Sequence, residues 1–159
     1  MADTGENKGK IFSINYSSQK RTSKTAVAQA KLIKDFGLEG DAHAGAGLRQ
    51  LSLLAIESIN KQAECPKVKK SDLTLKPGDF AENITTQGLD LAQLKIGDRL
   101  NVGAGVILEI SKIGKECHQY CAIYKKLGDC IMPREGIFAK VVQGGAVSVG
   151  EEIEVIRDV

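Results

Sequence analysis

Ile96-Gly-Asp-Arg-Leu-Asn-Val-Gly-Ala-Gly-Val-Ile-Leu-Glu-Ile-Ser-Lys-Ile113 reads as a complete β-hairpin. Leu100 and Val102 alternate with Arg99 and Asn101, the period-two pattern of a half-buried strand. Gly103-Ala-Gly105 turns the chain, and Val106 to Ile113 is the returning strand. The segment Val149-Gly-Glu-Glu-Ile-Glu-Val155 repeats the grammar of Ile96–Val102: a glycine, an acid, an aliphatic, a polar residue, then valine. The similarity is too short to mark a duplication, but it predicts a second half-buried strand.

Other short strands follow outward from this hairpin. Ile11, Phe12, Ile14 and Tyr16 form a β-type run, and Thr25 to Ile33 alternates enough for a strand or a short helix, with strand the favoured reading. Gln50 to Ala55 and Ile84 to Thr86 are two more. Gly136 to Gln143 and the tail from Ala146, separated by Gly144-Gly145, are predicted to pair as a closing hairpin. Ile56 to Glu64 reads as a short helix that stops before Cys65-Pro66, and His118 to Leu127 as a second that Gly128 caps. Phe36 to Gly47 holds four glycines and is a loop carrying Asp41 and His43; Pro77-Gly78 marks a turn. About eight short strands and two helices, without regular βαβ alternation, predict a mainly β fold: an antiparallel or mixed β-barrel, closed or partly open. Residues 1–9 are polar and are expected to be a disordered N-terminal segment, with one domain over 10–159.

Composition narrows the function classes. The chain has 159 residues, enough for one domain that buries roughly 70% of its unfolded surface. Its core therefore needs no disulfide framework. Twenty-two basic and 20 acidic residues give a net charge of +2 with both signs interspersed, and there are seven aromatic residues without tryptophan. Neither a polyanion footprint nor a stacking surface is present, so no nucleic-acid partner is expected. No apolar leader and no run near the ~18 residues of a membrane span occur, so the expected setting is cytoplasmic and reducing, with free thiols.

Three of the four cysteines, Cys117, Cys121 and Cys130, lie within fourteen residues, and one of the two histidines, His118, is among them. Thiolates are soft nucleophiles and soft metal ligands. Three readings compete. The cluster plus a histidine has the stoichiometry of a Cys3His zinc site, although the second closely spaced pair of a zinc ribbon is missing. Alternatively, Cys117, placed between a strand and a helix and near Lys115, is an activated nucleophile with Cys121 one turn away as a second thiol. Thirdly, free cysteine packs well in cores, and Cys130 beside Ile131 and Met132 suits that role. His43 and His118 equally suit local hydrogen bonding, and Arg49 and Arg134 equally suit snorkelling surface cations.

Several segments, taken in order, resemble one family. Gly40-Asp-Ala-His43 with Arg49-Gln-Leu-Ser-Leu-Leu, Gly78-Asp-Phe-Ala-Glu-Asn-Ile-Thr-Thr-Gln-Gly-Leu with Ile96-Gly-Asp-Arg-Leu, and Gly114-Lys-Glu-Cys-His with Met132-Pro-Arg-Glu-Gly-Ile-Phe-Ala-Lys-Val-Val are similar to the MOSC domain. This is the domain named after the C-terminus of molybdenum cofactor sulfurase. The resemblance runs from about Ile11 onward and is that of a short, stand-alone bacterial-type member. It implies a strand-rich barrel and an association with the molybdenum cofactor, molybdopterin, in a molybdenum or tungsten form. It also implies that Cys117 is a persulfide carrier or metal ligand, with delivery of sulfur to a metal-sulfur centre.

Asp41, His43, Arg49 and Asn83 match family motifs and are expected to shape the cavity, at a mouth shared by the Asp41 loop and the segment after Cys117. Arg49, Lys115 and Arg134 would supply cations to an anionic pterin, with His118 beside the thiol. The pyridoxal phosphate-dependent desulfurase part of the sulfurase has no counterpart here, so no pyridoxal phosphate is expected on this chain. Expected partners are a cysteine desulfurase or cofactor biosynthesis and acceptor proteins. The alternative is a zinc-binding structural or interaction module.

Overall fold

The structure is a computed structural model that describes residues 8–17, 25–41, 44–45, 50–63, 77, 82–113 and 137–156. In chain order these carry β1 (Lys8–Tyr16), β2 (Thr25–Val27), β3 (Gln29–Ile33), β4 (Gly37–Leu38), β5 (Leu51–Ala55), α1 (Ile56–Ala63) and β6 (Ile84–Gln87). A 3-10 turn at Leu91–Gln93 precedes β7 (Arg99–Val102), β8 (Val106–Ile113), β9 (Ile137–Gln143), β10 (Gly145–Ser148) and β11 (Glu152–Ile156).

Seven strands close a barrel in the order β11-β7-β8-β9-β5-β6-β1, and the pairing of β1 with β11 completes the ring. β2 extends β1 outside the ring, and β10-β3-β4 form a separate small sheet. Alternation along each strand fills the interior. Leu100 and Val102 from β7, Leu108 and Ile110 from β8, and Leu51 and Leu53 from β5 meet Ile84, Ile137 and Ile153 in one core cluster. Each such side chain contributes about 1.5–3 kcal/mol when fully buried. In β1 the two core residues Ile11 and Ile14 are three apart, an odd spacing for a strand. A register shift between Ile11 and Ser13 supplies the extra residue of a bulge, so both isoleucines point inward while Phe12 is left exposed.

All five residues of β5 are buried. Leu51, Leu53 and Ala55 belong to the interior, and Leu54 occupies the opposite face. α1 packs against β5 and β6, with Ile56 and Ile59 buried and Glu57 and Asn60 exposed.

The hairpin β7–β8 forms as its sequence predicts, with Val102 beside Val106 across the turn. Three expectations are corrected. β1 begins at Lys8 and pairs Lys8 with Glu154, so residues 8 and 9 are barrel strand rather than terminal segment. Thr25–Ile33 is two strands, broken at Ala28 and assigned to different sheets. Gly144-Gly145 makes no hairpin: β10 pairs with β3, and a Cβ at Gly144 would overlap the carbonyl of Leu32, so this glycine serves close packing instead of a turn. The ring is mixed, one of the two expected forms: β5 and β6 run parallel, with α1 following β5, and the other pairs are antiparallel. The predicted second helix, His118–Leu127, lies outside the described residues.

Candidate functional site

The barrel has two rims. At one, β1 ends and β5 and β6 begin; at the other, β5, β6 and β8 end and β9 begins, as the pairings of Leu53 with Ile84 and Ile137, and of Ile113 with Ile137, require. Of the site residues named from sequence, only Asp41 and Asn83 are among the described residues.

Asp41 and Asn83 belong to the first rim. Asp41 is buried, and its Oδ1 accepts the backbone N–H of Ser17, the residue after β1, at 3.1 Å. It ties the Asp41 turn to the end of that strand. Asn83 is wholly buried and joins three strands. Its Oδ1 accepts the Ser52 N–H at 3.0 Å and the Ser52 hydroxyl at 3.2 Å. Its own N–H donates to Ser52 Oγ at 3.0 Å, and its Nδ2 donates to the carbonyl of Asn15 at 3.3 Å. The N–H of Asn15 returns a 2.7 Å bond to the Asn83 carbonyl. The amide thus completes the ladder just ahead of the first β5–β6 pair, and its bonds are to the protein's own framework.

Around Asn83 the network continues through residues that motif reading did not single out. Asn15 Nδ2 donates to Thr85 Oγ1 at 3.0 Å and to the Glu82 carbonyl at 3.2 Å, while Ser13 Oγ donates to Asn15 Oδ1 at 2.7 Å. Thr85 Oγ1 donates to Glu82 Oε2 at 2.7 Å, and the Glu82 side chain is fully buried. Ser13 and Asn15 were legible as polar residues within an apolar strand, the one signal that could have found them.

The second rim holds a cavity of about 460 Å³. Ala55, Leu89, Leu91, Leu94, Ile113 and Ile137 form its apolar wall, and Glu57, Ser58 and Asp90 its polar part. Glu57 sits in the first turn of α1 and accepts the Gly88 N–H at 2.8 Å. Ile113 and Ile137, the last residue of β8 and the first of β9, are also where the chain leaves for and returns from residues 114–136. Lys115, Cys117, His118, Cys121, Cys130 and Arg134 fall in that stretch, and they, like His43 and Arg49, lie outside the described residues. Among the described residues no group of three His, Cys, Asp or Glu side chains is placed to hold a metal ion, and no helix is long and apolar enough to cross a membrane.

The MOSC domain family model matches residues 40–154, most of the chain. The chain belongs to the MOSC domain family. That family is associated with molybdenum cofactor-binding proteins. Three solved structures share the fold of this MOSC domain. The YUAD protein from Bacillus subtilis superposes with a TM-score of 0.75 at 23% identity, covering 94% of this chain and 96% of that one. YiiM from Escherichia coli gives 0.66 at 22%, covering 94% and 71%. YiiM from Geobacillus stearothermophilus gives 0.68 at 18%, covering 94% and 75%. No curated protein matches the sequence.

Proposed function

We propose that this MOSC domain carries sulfur as a persulfide on Cys117 and hands it to a metal-sulfur centre. The observation that carries the reading is the position of the thiol in the chain: Cys117 is the fourth residue after Ile113, a wall residue of the cavity at the barrel rim. A rigid barrel that delivers both ends of a thiol-bearing connection to one rim is a suitable mount for a carrier group. Family membership supports the same chemistry.

In the exchange, the Cys117 thiolate attacks the terminal sulfur of a donor persulfide, such as that of a cysteine desulfurase. The new bond joins Cys117 Sγ to that sulfur, the donor's sulfur–sulfur bond breaks, and the donor departs as a thiolate, so no net oxidation occurs. Lys115, two residues ahead of the thiol in sequence, brings a cation that favours the thiolate. Transfer onward to an acceptor thiolate repeats the step in reverse.

The molybdenum cofactor would supply a metal centre for oxygen- or sulfur-atom chemistry when bound. Its phosphate calls for cations and free backbone donors. The cavity instead presents Glu57 and Asp90, and the Gly88 N–H there is already bonded to Glu57. Asn83 is turned to its own strands. Arg49, Lys115 and Arg134, the cations named for the cofactor's anionic groups, lie outside the described residues, and those described at this rim supply none.

Incubation with a cysteine desulfurase and free cysteine, followed by intact mass spectrometry, tests the carrier reading. The parent chain, Cys121→Ser and Cys130→Ser should each gain one sulfur atom, and Cys117→Ser none. Equal loading of Cys117→Ser overturns the reading. Elemental analysis of protein purified without chelator supplies the second arm. Stoichiometric zinc that is lost on replacing Cys121 or Cys130 would establish the interaction-module alternative, and stoichiometric molybdenum or tungsten would establish a resident cofactor.

A further inference from the structure

We infer that the barrel is a tandem repeat: β1, β6 and β7 form one three-strand unit, β8, β9 and β11 form a second, and a two-fold axis through β5 exchanges them. The inference stands on the pairing of the ring and not on the chemistry of Cys117. Its first support is register. In one unit Lys10 pairs with Gln87, Ile11 with Thr86, Ser13 with Thr85 and Ile14 with Ile84. In the other, Glu109 pairs with Lys140, Ile110 with Ala139, Lys112 with Phe138 and Ile113 with Ile137. Both ladders shift register at the same step, between Ile11 and Ser13 and between Ile110 and Lys112, so the bulge is repeated with the strands. The same correspondence carries the pairing of Gly9 with Ile153 onto that of Leu108 with Leu100. Ile84–Val102 and Ile137–Val155 are equal in length, so it runs through both without insertion or gap.

The turns that feed β7 and β11 agree bond for bond. Gly97 and Gly150 have φ of 97° and 95°, a conformation that glycine adopts without strain. Gly97 N–H donates to the Ile110 carbonyl at 2.8 Å, and Gly150 N–H to the carbonyl of its counterpart Ile11 at 2.8 Å. The acid that follows each glycine closes the turn. Asp98 Oδ2 accepts the Lys95 N–H at 3.0 Å, and Glu151 Oε1 accepts the Ser148 N–H at 2.6 Å. The residue before each glycine, Ile96 or Val149, is an exposed aliphatic, and the inward pairs Leu100 with Val102 and Ile153 with Val155 are buried. The short likeness between these two segments in the sequence is therefore the visible part of a larger repeat.

β5 stands on the axis. Leu53 lies opposite both Ile84 and Ile137, and the flanking pairs, Leu54 with Thr85 and Ala55 with Thr86, are answered by Ser52 with Phe138 and Leu51 with Ala139. A two-fold axis perpendicular to the barrel reverses every strand, so a single strand placed on it must be parallel to one neighbour and antiparallel to the other. This accounts for the one parallel pair in the ring. It also relates the two long connections. β1 leads to β6 and β8 leads to β9 from opposite rims: the first connection contains β2 to β5 and α1, and the second, residues 114–136, carries Cys117, Cys121 and Cys130. The two rims are alike in strand geometry and differ in these connections, which is where the specialisation of the two halves lies.

Exchanging the corresponding segments within the full chain tests the inference. Ile96–Val102 takes the sequence of Val149–Val155, and Val149–Val155 takes that of Ile96–Val102. The exchanged chain should unfold in one cooperative transition within about 5 °C of the parent, because each side chain keeps its inward or outward place and only surface charges change partners. A control gives Ile96–Val102 the sequence of Gly150–Ile156, which slips the pattern by one residue and turns a glutamate inward in place of Leu100. It should not fold. Gly97→Ala and Gly150→Ala should lower the melting temperature equally, to within about 2 °C, since the two glycines share one conformation and an added Cβ meets nothing within 4 Å at either. The inference is overturned by an exchanged chain that fails to fold or loses more than about 15 °C, by a slipped control as stable as the exchanged chain, or by unequal losses in the two alanine variants.

Discussion

Thr85 and Thr86 are adjacent, equally buried and opposite in their surroundings. Thr85 donates to Glu82 Oε2 and accepts from Asn15 Nδ2, so its hydroxyl is the joint of a polar network on the outer face of β6. Thr86 points to the apolar interior, where its hydroxyl has no partner. Replacing each by valine separates these roles. Thr85→Val leaves an amide and a buried carboxylate oxygen short of a hydrogen bond and should cost about 2–3 kcal/mol. Thr86→Val removes an unmet polar group from an apolar site and should leave stability equal or raise it by about 1 kcal/mol. Urea unfolding of the two variants reads both signs, and a loss of stability in Thr86→Val would mean that its hydroxyl is satisfied after all. Nothing in the sequence distinguished these neighbours, because Ile-Thr-Thr fits a strand with either threonine inward. The same holds for Asn83: its motif was legible, but its function as a clamp between Ser52 and Asn15 depends on which strands become neighbours.

At the scale of elements, strands that alternate in isolation were readable from the chain, and those defined by a distant partner were not. The β7–β8 hairpin has its alternation, its glycine turn and its register in eighteen consecutive residues. β10 has none of these, since its four residues are recruited by β3 across more than a hundred positions. Glycine was the ambiguous sign. Two glycines in a row signal a turn, yet Gly144 is small because Leu32 lies against it. Gly9 is a second such case, read from sequence as part of a polar terminus. A Cβ there would stand 2.5 Å from the Gln87 carbonyl oxygen and 2.8 Å from the Leu89 Cβ, so β1 can pass the end of β6 only without a side chain. Gly9→Ala should therefore destabilise the barrel by about 3 kcal/mol or prevent its accumulation. An alanine variant with parental thermal stability would show that this crossing has room for a side chain. The candidate site was legible only in part for a related reason: the motifs point to Asp41 and Asn83, whereas Glu57 and Asp90 become cavity neighbours only when α1 is laid across β5 and β6.

For the whole molecule, closure is the decisive event, and it is made at a short seam. β1 and β11 share three residue pairs, Lys8 with Glu154, Gly9 with Ile153 and Lys10 with Glu152, whereas β8 and β9 are paired along most of their length. The Lys8–Glu154 ion pair at 3.2 Å is exposed on both sides, so Lys8→Ala should change stability by less than about 0.5 kcal/mol. Backbone pairing and the inward Ile153 hold the seam instead. Hydrogen exchange should find its amides opening before those of β8 and β9, and slower exchange at the seam than in β8 would contradict this picture. The seam also sets a timetable. During synthesis at roughly 5–20 residues per second, β1 emerges some 7–30 s before the strand that must lie beside it. Until then the chain on the ribosome can form hairpins and the βαβ unit but not a ring, so the edge of β1 that β11 will cover stays unpaired throughout synthesis.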